Sequence, residues 1–242
     1  MTLLLASVRS TDEAEAALVL GADIVDLTDA RGALGALNVD TVRRAVRAVK
    51  GRRLTSASAG DLPMEPETLA AAVNAMAATR VQYVKVGLFP DPRRGACVAL
   101  LGAHTREARL IGVVFADVEP DMGALPALLA RLSAAGFAGV ILDTRYKDPG
   151  RIIDRMDIPA LAAFRDACRA NGLMTGLAGS LAAPDIPGLL PLAPDLLAFR
   201  RALRLRGERT APLDAAAFRL VRDLIPPAHT EGTGESGGVA PA

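Results

Sequence analysis

Apolar positions along the chain alternate between two periods. Short runs with pleat-like or continuous apolar character occupy residues 2–8 (TLLLASV), 22–28 (ADIVDLT), 53–59 (RLTSASA), 82–89 (QYVKVGLF), 109–117, 138–144 (AGVILDT), 173–179 (LMTGLAG) and 196–202 (LLAFRRA). Between them, apolar residues three and four apart predict helices near 11–20, 39–50, 66–79, 94–107, 123–135, 157–171, 184–193 and 214–225. Start signals support several of these: Asn38 or Asp40 before the second, Pro66 opening the third, Asp157 before the sixth. Gly21, Gly136 and Gly172 stand where helices should stop. Eight strands alternating with eight helices predict an α/β fold, a closed (β/α)8 TIM barrel in a single domain over residues 1–225. A doubly wound open sheet would normally need fewer strands, and no G-x-G-x-x-G follows the first one. Residues 226–242 carry no periodicity and much Gly, Pro and Ser, which predicts a disordered tail.

Strands of a parallel barrel are buried on both faces, so a polar residue within one must point into the barrel. The pleat then sends Ile24, Asp26 and Thr28 inward from the second strand, and Lys85 inward from the fourth. Asp143 points inward from the sixth strand and Arg200 from the eighth. Lys147 falls in the loop after the sixth strand, on the same rim. A carboxylate inside a buried strand is costly without a partner or a task. One reading of these charges is an ion-pair network that only holds the barrel. Buried pairs add little stability over apolar packing, however, so a chemical task is favoured. After the seventh strand, Gly179 and Ser180 offer small residues and backbone N–H groups where barrels commonly hold phosphate, with Arg200 next to them. Asp61, in the loop after the third strand, reads equally as catalytic or turn-forming.

The basic residues sharpen this. The chain has 25 Arg and three Lys, at 50, 85 and 147. Where any cation suffices it uses Arg, so a retained Lys points to a need for an amine that can deprotonate. Lys50 ends a helix, where any cation serves. Net charge is +1 and aromatic content 3% with no Trp, which argues against nucleic acid as a partner. Cys97 and Cys168 read as buried thiols in a reducing compartment. His104 and His229 cannot build a metal site with each other, since His229 falls in the tail, and neither a metal nor a cofactor is expected. The first residues lack the basic segment of a signal peptide. Residues 177–199 contain Asp185, Asp195 and prolines, so no membrane span is expected and the cytoplasm is the expected compartment. The expected partner is a phosphorylated small molecule. Association with further copies of the chain stays open.

Taken in order, "GADIVDLTDARGALGA", "SASAGDLP", "YVKVGLF", "LDTRYKD", "GLAGSL" and the strand-eight Arg resemble the (5-formylfuran-3-yl)methyl phosphate synthases, over residues 2 to about 225. The resemblance implies a TIM barrel with class I aldolase-like chemistry. It implies condensation of two molecules of glyceraldehyde 3-phosphate, with loss of water and one phosphate, to the furan precursor of a methanofuran-type C1 carrier. In that family the Schiff-base lysine lies two residues after the strand-two Asp. Here that position is Thr28, which cannot form an imine. The family's proton-abstracting lysine corresponds to Lys85 and a further lysine to Lys147. A Gly-rich stretch after the family's strand-eight Arg is replaced here by "RRALRLRGER". Three expectations follow: a synthase whose imine forms on Lys85 or Lys147; a lyase or isomerase acting on another phosphorylated carbonyl compound, with Lys85 as base; or a paralogue that only binds such a metabolite or a partner enzyme.

Overall fold

The computed structural model describes residues 1–104, 107–119, 122–146 and 150–226. Eight parallel strands close into a barrel in sequence order. They are β1 (Leu3–Val8), β2 (Ile24–Leu27), β3 (Leu54–Ser58), β4 (Tyr83–Gly87), β5 (Arg109–Phe115), β6 (Gly139–Asp143), β7 (Met174–Leu177) and β8 (Leu196–Phe199). Helices α1 (Thr11–Val19), α2 (Val39–Val49), α3 (Pro66–Ala77), α4 (Arg94–His104), α5 (Leu125–Ala134), α6 (Ile152–Arg155), α7 (Ile158–Ala170), α8 (Ile186–Leu189) and α9 (Ala215–Leu224) connect and cover them. The expected tail beyond residue 226 and Lys147 lie outside the described residues.

Local chemistry explains most boundaries. Ser10 accepts the Glu13 N–H to open α1, Asn38 accepts the Asp40 N–H to open α2, and Asp157 and Asp214 do the same for α7 and α9. Each such cap stabilises by about 1 kcal/mol. The expected helix over 184–193 is broken: only Ile186–Leu189 is α-helical, flanked by 3₁₀ turns at 183–185 and 190–192. Pro184, Pro187 and Pro191 remove the N–H groups a continuous helix would need. A short helix at 152–155 was not expected. The last strand stops at Phe199, three residues early, because Arg200 turns away at φ −128° and ψ −64° and a 3₁₀ turn follows.

Strand parity divides the interior as the alternation predicts. Val25, Leu27, Val84, Val86, Leu142 and Leu197 face outward into the large core beneath the helices. Leu5, Ile24, Tyr83, Ile111, Val113, Phe115, Ile141 and Leu196 fill the barrel. Toward the C-terminal ends of the strands this filling is joined by inward polar residues, among them Lys85 and Asp143. No helix among the described residues is long and apolar enough to cross a membrane.

Candidate active site

Register decides which polar residues meet. Ser7 pairs with Asp26, and Asp26 with Ser56, so three inward side chains stand in one row across β1, β2 and β3. Both hydroxyls donate to the carboxylate: Ser7 Oγ at 2.8 Å to Oδ2 and Ser56 Oγ at 2.6 Å to Oδ1. Lys85 pairs with Ser58, one layer nearer the C-terminal face. Its side chain reaches back to place Nζ 2.7 Å from Asp26 Oδ2. Asp26 is 0% exposed and Lys85 6%. The carboxylate therefore meets the cavity only through its donors, and Ser7 and Lys85 both line that cavity. A second, smaller cavity beside Lys85 is walled by Leu5, Ile24, Tyr83, Ile111 and Ile141 together with Ser56, so the amine also borders largely apolar surroundings.

Thr28 lies just past β2 and is 2% exposed. Its hydroxyl donates to Gly35 O at 2.9 Å and lies 3.1 Å from Ser58 Oγ, with Arg200 Nη2 at 3.5 Å. A bonded hydroxyl thus fills the position where the resembled family carries its imine lysine. Asp143 lines the cavity from the end of β6 and accepts the Thr144 N–H at 2.7 Å. Asp61 is not part of the cavity wall. Its Oδ1 accepts the Leu34 N–H at 3.2 Å, so it fastens the loop after β2. Gly32, at φ +72°, allows that closeness: a Cβ there would stand 1.9 Å from Asp61 Oδ2.

On the opposite wall, Gly179, Ser180, Leu181, Arg200, Arg201 and Arg209 surround the mouth. Gly179 and Ser180 are consecutive residues with positive φ, +96° and +54°. Gly179 is required there, because its Cβ would stand 2.9 Å from Ile152 Cβ. The turn carries Ser180 Oγ to a buried place with no hydrogen-bond partner. Arg200 Nη1 and Arg209 Nε are likewise buried and unpartnered. Burial pushes the Arg200 guanidinium down from its usual value, although Asp26 and Asp143 work against that. Burial and then the charge of Arg200 bring Arg209 down to about 10. Buried donors are nearly always paired, so orphan donors on one wall mark a place for an acceptor-rich ligand.

The structure thus brings Lys85, Asp143, Gly179, Ser180 and Arg200 around one cavity, with Asp26 bonded behind Lys85 and Thr28 within reach of Arg200 but neither on the cavity wall. Arg200 contributes from the turn after β8 and not from the strand. Ser7, Ser56 and Arg209 escaped the sequence reading. The serines resemble small filler in a strand, although their register beside an acidic residue was available as a signal. Among the described residues no group of three His, Cys, Asp or Glu side chains could hold a metal ion.

Comparison with known proteins finds relatives over most of the chain. The sequence profile of the 4-HFC-P synthase family matches residues 4–222. A protein of Methylorubrum extorquens with the provisional name (5-formylfuran-3-yl)methyl phosphate synthase is 46% identical over 88% of this chain and 87% of its own. The (5-formylfuran-3-yl)methyl phosphate synthase of Methanosarcina mazei is 35% identical over 81% of this chain and 88% of its own. That of Methanothermobacter thermautotrophicus is 31% identical over 92% and 98%. Among solved structures, phosphoribosyl anthranilate isomerase of Thermotoga maritima superposes with a TM-score of 0.66 at 16% identity, covering 93% of this chain and 98% of that one. The 3-hexulose-6-phosphate synthase of Salmonella typhimurium gives 0.64 at 15% identity, covering 92% and 98%. At such identities the likeness concerns the fold.

Proposed function

The chain belongs to the 4-HFC-P synthase family, and on that premise we propose that it makes (5-formylfuran-3-yl)methyl phosphate from two molecules of glyceraldehyde 3-phosphate. The atoms balance if one inorganic phosphate and two waters leave for each furan phosphate formed. The observation that carries the reading is one cavity bounded by a buried amine–carboxylate pair on one side and by unpartnered cationic donors on the other. Arg200, Ser180 and the backbone of the Gly179 turn receive a substrate phosphoryl group. That fixes the carbonyl end of a triose phosphate toward Lys85.

Lys85 is the nucleophile or base in this reading. Its neutral amine adds to the aldehyde carbon, water leaves, and an imine makes the adjacent C–H acidic. Asp26 takes the proton that Lys85 gives up, and Ser7 and Ser56 keep the carboxylate fixed throughout. Asp143, across the cavity, is placed to move protons on the substrate's oxygen or carbon. With Thr28 unable to form an imine, the carbonyl chemistry falls to Lys85 or to Lys147. Phosphorylated trioses place the reaction in the cytoplasm. Thr28 also favours a second reading, in which Lys85 acts as base on another phosphorylated carbonyl compound without an imine. Borohydride reduction in the presence of glyceraldehyde 3-phosphate separates the two. The first reading expects a covalent adduct on Lys85 or Lys147, and the second expects none.

A further inference from the structure

We infer that Arg209 is a second guanidinium on the substrate's phosphoryl group, closing over it opposite Arg200. The inference rests on the phosphate site proposed above and extends it to a residue nine positions further along the chain. Arg209 lines the same cavity as Gly179, Ser180 and Arg200. One edge of its guanidinium is anchored: Nη2 donates to Gly32 O at 2.5 Å, in the loop after β2. Another part of it is not, since Nε is buried without a partner. Arg165, Arg204 and Arg222 also bury an Nε without a hydrogen-bond partner, but away from this cavity; that of Arg209 belongs to a side chain on the cavity wall, where a ligand can meet it. Arg200 Nη1 and Ser180 Oγ share that condition on the same cavity. Two guanidinium groups brought to one desolvated mouth repel each other, and a dianion placed between them removes the repulsion. Their planar forks suit phosphate oxygens better than an ammonium would.

The loop that carries Arg209 is built to hold it still. After β8, Arg204 is 2% exposed and makes a two-pronged contact with Glu13, Nη1–Oε1 and Nη2–Oε2 both at 2.9 Å. Arg204 Nη1 also donates to Ala211 O at 2.6 Å, and the Leu205 N–H donates to Pro212 O at 3.2 Å. An antiparallel bridge joins Arg204 to Leu213. Both ends of the excursion 205–212 are therefore clamped, and Arg209 stands on the clamped segment, over the cavity. Binding to a prepositioned cation loses less freedom on ordering than binding to a mobile one.

The test uses the full chain and glycerol 3-phosphate, which has the phosphoryl group but no carbonyl, so that binding is separated from chemistry. Calorimetric titration of the wild type should show binding, and glycerol alone should show none. Arg209→Gln should weaken glycerol 3-phosphate about 10- to 100-fold, the scale of a lost charge-assisted contact. Arg209→Lys should recover part of the loss, because it restores the charge without the fork. If Arg209→Gln binds within twofold of wild type while Arg200→Ala is impaired, Arg209 only ties two loops and the inference fails alone. A loss that Arg209→Lys does not partly restore also overturns it, since the loop and not the charge would then be responsible. If neither substitution matters, or the wild type does not bind, the phosphate site falls with it. A wild type that binds as expected but makes no furan product leaves Arg209 standing and removes the proposed reaction.

Discussion

Asp26 has no exposed surface and three donors, and that single residue organises the polar centre of the barrel. Ser7 and Ser56 fix the carboxylate, and Lys85 is the charged member of the cluster that reaches the cavity. Lys85→Arg keeps the charge but cannot deprotonate, so turnover should vanish while circular dichroism shows an unchanged fold. Asp26→Ala leaves a buried ammonium without its counter-charge and should cost about 3–5 kcal/mol in urea unfolding. A loss below 1 kcal/mol would mean the pair is not buried as described. Thr28→Lys restores the family's D-x-K spacing but removes the hydroxyl from Gly35 and Ser58 and places an amine near Arg200. It should destabilise by roughly 1–3 kcal/mol and create a borohydride-reducible adduct on residue 28, read by peptide mass. The inward direction of Asp26, Lys85 and Asp143 was legible from strand parity, because a barrel strand has no solvent face on which to leave a charge. The serines around Asp26 were not, because a strand serine looks the same whether it fills space or holds a carboxylate.

Among the elements, α1 and the loop after β8 depend on one another. Glu13 caps nothing with its carboxylate beyond the Arg9 N–H; its main partner is Arg204, from the far end of the chain. Burial would raise the Glu13 carboxyl, but the Arg204 contact, its charge and Arg9 outweigh that and hold it below its usual value of 4.5. A depressed folded-state pKa means that the contribution is complete above 4.5 and disappears as pH falls through the lower folded value. Wild-type stability should therefore drop more steeply on acidification than that of Glu13→Gln. At neutral pH Glu13→Gln should lose about 3 kcal/mol by leaving Arg204 buried without its counter-charge. Parallel acid profiles in the two proteins would show that the pair carries no such load. Little of this loop was readable beforehand. "RRALRLRGER" has no period of two or of 3.6, and five of its ten residues are arginine, so nothing in the string separates the buried Arg204 and cavity-lining Arg209 from the exposed Arg206. The break in the helix expected over 184–193 was better signposted, by three prolines whose effect the apolar spacing concealed.

At the scale of the whole molecule, the barrel gathers Lys85 from β4, Asp143 from β6 and Arg200 from the turn after β8 around one mouth, with Asp26 of β2 buried behind Lys85. Arg200 and Arg209 both have pKa values depressed by burial, the second to about 10. Burial makes both charges costly, and a guanidinium cannot shed its charge to escape that cost, so it stands at neutral pH. An anion relieves it. Glycerol 3-phosphate at a hundredfold excess over its Kd should add about 2.7 kcal/mol and raise Tm by roughly 5–10 °C for a domain of this size; an unmoved melting curve would contradict the site. The closed barrel was legible from eight alternations of period, and the cavity's polar ring from parity within them; what closes the mouth was not, since it depends on contacts between residues as distant as 13 and 204. Purified protein is incubated with glyceraldehyde 3-phosphate, and the product mixture is read by mass spectrometry with inorganic phosphate measured in parallel. The predicted result is (5-formylfuran-3-yl)methyl phosphate with one phosphate released per furan, absent when Lys85→Arg replaces the wild type. No furan product from the wild type, or product formation that survives Lys85→Arg, would contradict it.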